Sequence, residues 1–333
     1  MVLSYQTYTT DQEEFVKAFE DLHKTIYGEE TAETDINQEH FHCGIVTTYA
    51  GEPAAVLALY INPLIKFEQL PTMLFGNFEA TDDENAVTAL FSKARSIARA
   101  QQIYQLLGPM NGSTTNSYRL AIPSGPSPFF LEPKQPGYYQ NLLHRCGAQR
   151  VASYFSAIDH LKKYDAKKVQ HSINDLVKKG VTFRQIDLKA FSKELRRLHP
   201  FCNSVFGANF LHTPVSETVF TERYKKLRIY IEPGYIILAE TQDQQLAGFV
   251  FCLPDHGNAG KRGLIIKTLA RLPGRNFAGL GTALIGLIRQ KAISDDMEYL
   301  IHALMHRNNV SLNLSKNFSG SVFREYHLYC CKA

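Results

Sequence analysis

The chain has 333 residues, 44% of them hydrophobic and 20% charged, with a formal net charge of +4. That length accommodates two ordinary domains, and the composition is that of a globular protein rather than a disordered, fibrous or membrane-embedded one. No apolar run is long enough to span a bilayer, the opening residues lack a signal-peptide layout, and the charge is too small to argue for nucleic acid, so a cytoplasmic protein without a nucleic-acid partner is expected.

In chain order, "LSYQTYT" reads as a strand and "TDQEEFVKAFEDLHKTIYG" as a helix. The hairpin "CGIVTTYAGEPAAVLALYI" turns at Gly51-Glu52-Pro53, and the strand "TMLFGNFEA" follows. The helix "DENAVTALFSKARSIARAQQ" and strand "IYQLLGPM" come next, and "PGYYQNLLHRCGAQRVASYFSAI" closes the half. The Lys-rich stretch 160–180, "HLKKYDAKKVQHSINDLVKKG", reads as a solvated helix stopped by Gly180.

The same order then repeats. A strand over 181–187 and a helix over 188–206 precede a second helical stretch near 215–228. Two β-rich runs flank the turn "TQDQQ", and "GLIIKTLARLP" completes a three-stranded meander. A helix from about 279 to 293, a strand "EYLIHALM", a short helix opened by Asn308 or Asn309, and "SVFREYHLYCC" finish the plan. The expected domains are 1–160 and 181–333, joined by a linker over 161–180, in a mixed α/β class. The six cysteines are scattered without CxxC spacing, which predicts reduced thiols and no metal site.

The most informative stretch is "ARLPGRNFAGLGTALIGLIRQ", a strand that breaks at Pro273, passes a glycine-rich turn and becomes a helix. "GLGTAL" lacks the third glycine of a dinucleotide fingerprint and the GK[ST] ending of a P-loop. A tight strand-to-helix joint with glycines for packing explains it equally. It also resembles the coenzyme A turn of the Gcn5-related N-acetyltransferases (GNATs), in which an apolar strand and a Pro precede [RQ]xxGxG[AG]. The element order around the turn is similar to that family over most of 181–333. The first half, through "LFGNFEATDDENAVTALFSKA", "LLGPMNGSTTNSYRL" and "PGYYQNLLHRCGA", resembles bacterial double-domain acetyltransferase-like proteins.

The resemblance implies two tandem GNAT-like acyl-CoA N-acyltransferase domains, with acetyl-CoA or another acyl-CoA as donor and a small-molecule or peptide amine as acceptor. Backbone N–H groups at a helix start attract a pyrophosphate, and glycines let it approach. The implied seat comprises Arg275, Asn276, Phe277, Ala278, Gly279, Leu280, Gly281 and Thr282, with Asn308 beside it. Asn276 stands where the pattern has Arg or Gln. Thr268, Leu269 and Ala270 would flank the thioester, where a local splay exposes backbone N–H groups.

Proton transfer needs a base and an acid. Glu240 and His302 border the implied cleft and are the candidate bases; structural roles in a turn and a strand are equally open to them. Ser315 replaces the family's usual Tyr acid, leaving Tyr326 or Tyr329 as substitutes. In the first half the equivalent turn carries Glu79, Asp82, Asp83 and Glu84, which repel phosphate and suit a helix cap. Its loop "GPMNGSTTNSYRL" offers Asn111 and Thr114 as substrate contacts. The leading expectation is an acyltransferase. A catalytically degenerate CoA-binding or partner-binding module and an aminoacyl-tRNA-dependent peptidyl transferase are the alternatives.

Overall fold

The computed structural model describes residues 4–28, 35–161, 164–258 and 260–333, so Leu3 of the first expected strand and residues 162 and 163 of the expected linker lie outside the described residues. The first half runs β1 (Tyr5–Thr10), α1 (Gln12–Tyr27), β2 (Phe41–Tyr49), β3 (Glu52–Phe67), β4 (Leu70–Ala80), α2 (Glu84–Ala100), β5 (Gln105–Gly108), β6 (Leu120–Ile122), α3 (Tyr139–Arg145) and β7 (Gln149–Asp159). After α4 (Ala166–Lys178) come β8 (Thr182–Gln185), α5 (Phe191–Phe206), α6 (Glu217–Leu227), β9 (Ile236–Glu240), β10 (Leu246–Pro254) and β11 (Gly263–Arg271). The remainder is α7 (Leu280–Ser294), β12 (Tyr299–His306), α8 (Val310–Asn317) and β13 (Ser321–Lys332).

Local chemistry explains the boundaries. Asp11, Asp83, Asp165 and Ser216 accept backbone N–H groups at the starts of α1, α2, α4 and α6. Phe15, Ala18, Phe19 and Leu22 recur at helical spacing and form the buried face of α1. In β11, Leu264 and Ile266 pack with α7 while Ile265 packs on the opposite face, the alternation of a strand covered on both sides.

All the described strands join one mixed sheet in the order β1-β2-β3-β4-β5-β13-β7-β12-β11-β10-β9-β8, with β6 attached to β13. The halves exchange strands at its centre. β7, from the first half, pairs with β12, and β13, from the second, lies between β5 and β7 with Cys330 opposite Leu107. Only β4–β5 and β11–β12 pair in parallel among the described strands.

Two devices fasten the seam. Asp159 at the end of β7 pairs with Arg289 of α7 at 2.9 Å, their side chains 0% and 1% exposed, and the guanidinium also lies over the Tyr164 ring. The Lys-rich helix α4 is solvated on one side only: Val169 and Leu176 are buried in the core with α7, and a Cβ on Gly286 would come within 2.3 Å of Val169 Cγ1. Removing one member of a buried ion pair leaves the other charge without compensation. Arg289→Met is therefore expected to cost about 3–5 kcal/mol in urea unfolding, and adding Asp159→Asn to it should recover part of that loss.

Candidate active site where two parallel strands part

β11 and β12 pair from Gly263 opposite Tyr299 to Ile266 opposite His302, and no further. Each strand bulges at that point. Cys252 of β10 faces Ile266 and Phe251 faces Thr268, which leaves Lys267 as the extra residue in β11. In β12, His302 faces Ala157 and Met305 faces Phe155, so Ala303 and Leu304 together oppose Ser156. Leu304 takes a positive φ of 56°, and its N–H donates to Ser156 Oγ at 3.1 Å. Opposed bulges turn the strands away from each other and free backbone groups between them.

The chain leaving β11 returns at the start of α7. Gly274, with φ 103°, opens a short 3₁₀ turn over Arg275–Phe277, and Gly279, with φ 83°, is the N-cap. This N-terminus has no side-chain cap and no acid in its first turn. A side chain at Gly279 would meet Ser172 Oγ of α4 at 3.2 Å, besides being strained in the left-handed region. The free N–H groups and the helix dipole suit a pyrophosphate, and the residues present fit one. Arg275, Asn276, Ala278 and Gly279 are exposed around this opening, Thr282 is partly exposed, and Phe277, Leu280 and Gly281 turn into the core. Asn308 is exposed and donates its N–H to His306 Nδ1; Asn309 caps α8.

On the other face, groups from both halves come together beside the β11 bulge. Thr268 lies beside the phenol of Tyr224 from α6, whose buried setting keeps it protonated. Leu269 points into the α7 core, and Ala270 into the core under α5. Lys267 is an exposed side chain, and desolvation by its neighbours, then the charges of Arg119 and Arg223, pull its ammonium down to about 8. Arg223 of α6 donates to the Thr115 carbonyl, one residue past the partly exposed Thr114. Arg119 donates to the Leu304 carbonyl at 3.4 Å. Sequence reasoning missed Lys267, Arg119, Arg223 and Tyr224. The visible signal was a lysine inside the apolar run "GLIIKTLARLP".

Neither candidate base is free to act as one. Glu240, at the end of β9, is buried, which favours the neutral acid, but Arg184 and Arg197 bind it and hold its carboxyl below the usual range. It stays ionised and engaged by both guanidinium groups, which makes it a weaker base than a free carboxylate. His302 is buried on the α7 side beside Arg289 and Asp159, pushed down to about 4 by burial. Tyr326 is fully buried, bonded to Glu132 and, at 2.9 Å, to Ser156 Oγ, so it reaches the β12 bulge only through Ser156. Burial and Glu132 raise its pKa. Ser315 is buried against Gly320 and reaches no opening.

No family model matches the chain. A solved tandem GNAT protein from the clavulanic acid biosynthesis pathway superposes with a TM-score of 0.56 over 99% of this chain and 98% of its own, at 13% identity. The chain has the tandem GNAT fold. A GNAT from Sphaerobacter thermophilus gives a TM-score of 0.53 over 98% of this chain and 95% of its own, at 11% identity. Among curated proteins, the bacterial ceramide synthase of Caulobacter vibrioides is 22% identical over 284 residues, 77% of this chain and 74% of that protein.

The two GNAT copies differ at the equivalent gap. In the first, β4 and β5 pair only at Met73–Leu106 and Leu74–Leu107. The chain itself then closes the space: Met110 N–H donates to Phe75 O at 2.7 Å, and Asn111 Oδ1 accepts from Asn77 N–H at 2.8 Å. Asn111 is buried and both ends of its amide are used within the fold, the NH2 donating to the Asp35 carbonyl, so it is not presented to a substrate. The α2 N-terminus is filled by its own Asp83 carboxylate, which also receives Tyr5 Oη at 2.6 Å.

The lowered His302 value carries a pH signature. The unfolded chain takes up this proton near pH 6.5 and the folded chain only near 4, so the stability contribution is intact above 6.5 and is lost as pH falls towards 4. Urea unfolding should show a drop of up to about 3 kcal/mol across that window from this group. The slope should flatten in His302→Gln.

Proposed function

We propose that the chain is an acyl-CoA N-acyltransferase whose second GNAT copy holds the donor and whose junction with the first receives the amine. The observation that carries this reading is the uncapped, acid-free N-terminus of α7 next to the opposed bulges of β11 and β12. Acyl-CoA, when bound, supplies an activated acyl thioester. The backbone N–H groups of Leu280, Gly281 and Thr282 would hold its pyrophosphate, with Arg275 and Arg271 adding charge. Backbone freed at Lys267 and Thr268 would orient the acyl carbonyl, as a preformed donor set does for an oxygen that gains charge. Lys267 Nζ would accept the proton of the acceptor ammonium, a role suited to an amine near 8. Tyr224 Oη retains its proton and stands in for the acid absent at Ser315.

Similarity to a ceramide synthase favours, as a second reading, a long acyl group. The apolar side chains of Phe191, Leu195, Phe220, Tyr224 and Phe251, between α5, α6 and the sheet, enclose only about 10 Å³ and adjoin Thr268 through Tyr224, so a long chain would enter only if they part.

Calorimetry with acetyl-CoA and palmitoyl-CoA tests the donor seat. Binding is expected, weakened at least about tenfold by Gly279→Asp, which adds a negative charge and a strained side chain at the N-cap. Binding of neither, or binding indifferent to this change, removes the acyl-CoA reading, and preference for palmitoyl-CoA supports the second. In thiol-release assays over roughly pH 6 to pH 10, kcat/KM should rise with a midpoint near the Lys267 value of about 8. Lys267→Met should lower kcat by about tenfold or more and abolish that limb, with CoA affinity unchanged.

A further inference from the structure

We infer that the acceptor carries an acid group as well as its amine, and that Arg119 and Arg223 receive that acid. This rests on the acyltransferase reading and names its substrate class.

Arg119 is the unusual residue. It belongs to the first half, at the end of the loop that follows β5, yet it reaches the β12 bulge. It adopts a positive φ of 82°, which a non-glycine residue does at a cost. Its guanidinium is sandwiched by the rings of Tyr118, at 3.7 Å, and Tyr154, at 4.2 Å. The residue is 8% exposed, no carboxylate among the described residues pairs with it, and its buried Nε has no hydrogen-bond partner among them. A buried guanidinium with an unused donor is costly unless an anion completes it, and the planar fork is shaped for a carboxylate or phosphate.

Arg223 approaches from α6 on the other side, anchored to the Thr115 carbonyl. Both charges act on Lys267, and no carboxylate among the described residues opposes them there. The acids around this region are engaged elsewhere. Asp35 accepts from Asn116 and Ser117, Glu132 from Arg324 and Tyr326, and Glu222 from Lys225. His306, edge-on to the Tyr154 ring, is pushed down by burial and by Arg119, and adds no charge near neutrality. Cations from two halves of the chain therefore gather beside Lys267 with no described carboxylate paired to them.

Two anions are chemically eligible, an acid on the acceptor and a phosphate of the donor. The geometry favours the acceptor: α6 covers the face of β11 opposite α7, where the pyrophosphate seat lies. An amine held beside Lys267, with its acid on Arg119 and Arg223, would be positioned for attack at the bulge. The same cations would favour the amine's uncharged form.

The test uses the full chain, acetyl-CoA and palmitoyl-CoA, and acceptors in matched pairs: L-phenylalanine with L-phenylalaninamide, and 4-aminobutyrate with butylamine. Thiol release should favour at least one acid over its neutral partner by about tenfold or more in kcat/KM. Arg223→Gln should remove that preference mainly through KM, leaving CoA affinity unchanged, while the pH limb set by Lys267 moves upward alike for the acid and its neutral partner because a neighbouring positive charge is gone. Arg119→Gln should do the same where it folds, and Arg119→Lys should rescue it only partly, because the fork is lost. If no acceptor turns over, calorimetric titration of the same pairs into CoA-loaded protein decides, and acids that bind no better than their partners overturn the inference. It also fails if Arg223→Gln weakens CoA instead. A protein that binds CoA but ignores the acid loses only this inference, whereas one that binds no CoA loses the acyltransferase reading.

Discussion

Two parallel strands that stop pairing leave facing rows of backbone N–H and C=O groups, and buried backbone groups must find partners. The surroundings of β11 and β12 answer that constraint. Ser156 takes the Leu304 N–H, Arg119 takes the Leu304 carbonyl, and Tyr326 steadies Ser156 from β13. Three strands and a loop from distant parts of the chain thus hold one gap open. The bulge at Lys267 then turns the gap into a place where a charged side chain tolerates an otherwise apolar strand.

The first copy meets the same constraint differently. There the chain fills its own gap with Met110 and Asn111, and a carboxylate caps the neighbouring helix. One solution leaves room for a ligand and the other consumes it. The closed copy still contributes to the open one: its loop from Asn111 to Arg119 carries the carbonyl that holds Arg223 and the guanidinium that reaches β12.

Much of this was legible in the sequence, because it is local. Strand alternation, capping residues and the glycines at 274, 279 and 281 are short-range signals, and they located the elements and the turn before α7. What escaped is long-range. Nothing in "SVFREYHLYCC" indicates that β13 inserts between β5 and β7, because pairing partners far away in sequence leave no periodic trace. Lys267 looked like an interruption of a strand because a bulge is defined by the partner strand's register. Glu240 looked available because two arginines, at 184 and 197, converge on it only in three dimensions.

The exchange of β7 and β13 bears on how such a chain can change over generations. Deleting either copy would strip the other of a central strand and leave open sheet edges, which invite aggregation. A copy whose own ligand gap has closed is thus shielded from loss by geometry alone. It remains free to drift in its loops, and on the proposed acyltransferase reading the loop bearing Arg119, which already touches the β12 bulge, would be the natural place for acceptor preference to be rewritten without disturbing the N-terminus of α7.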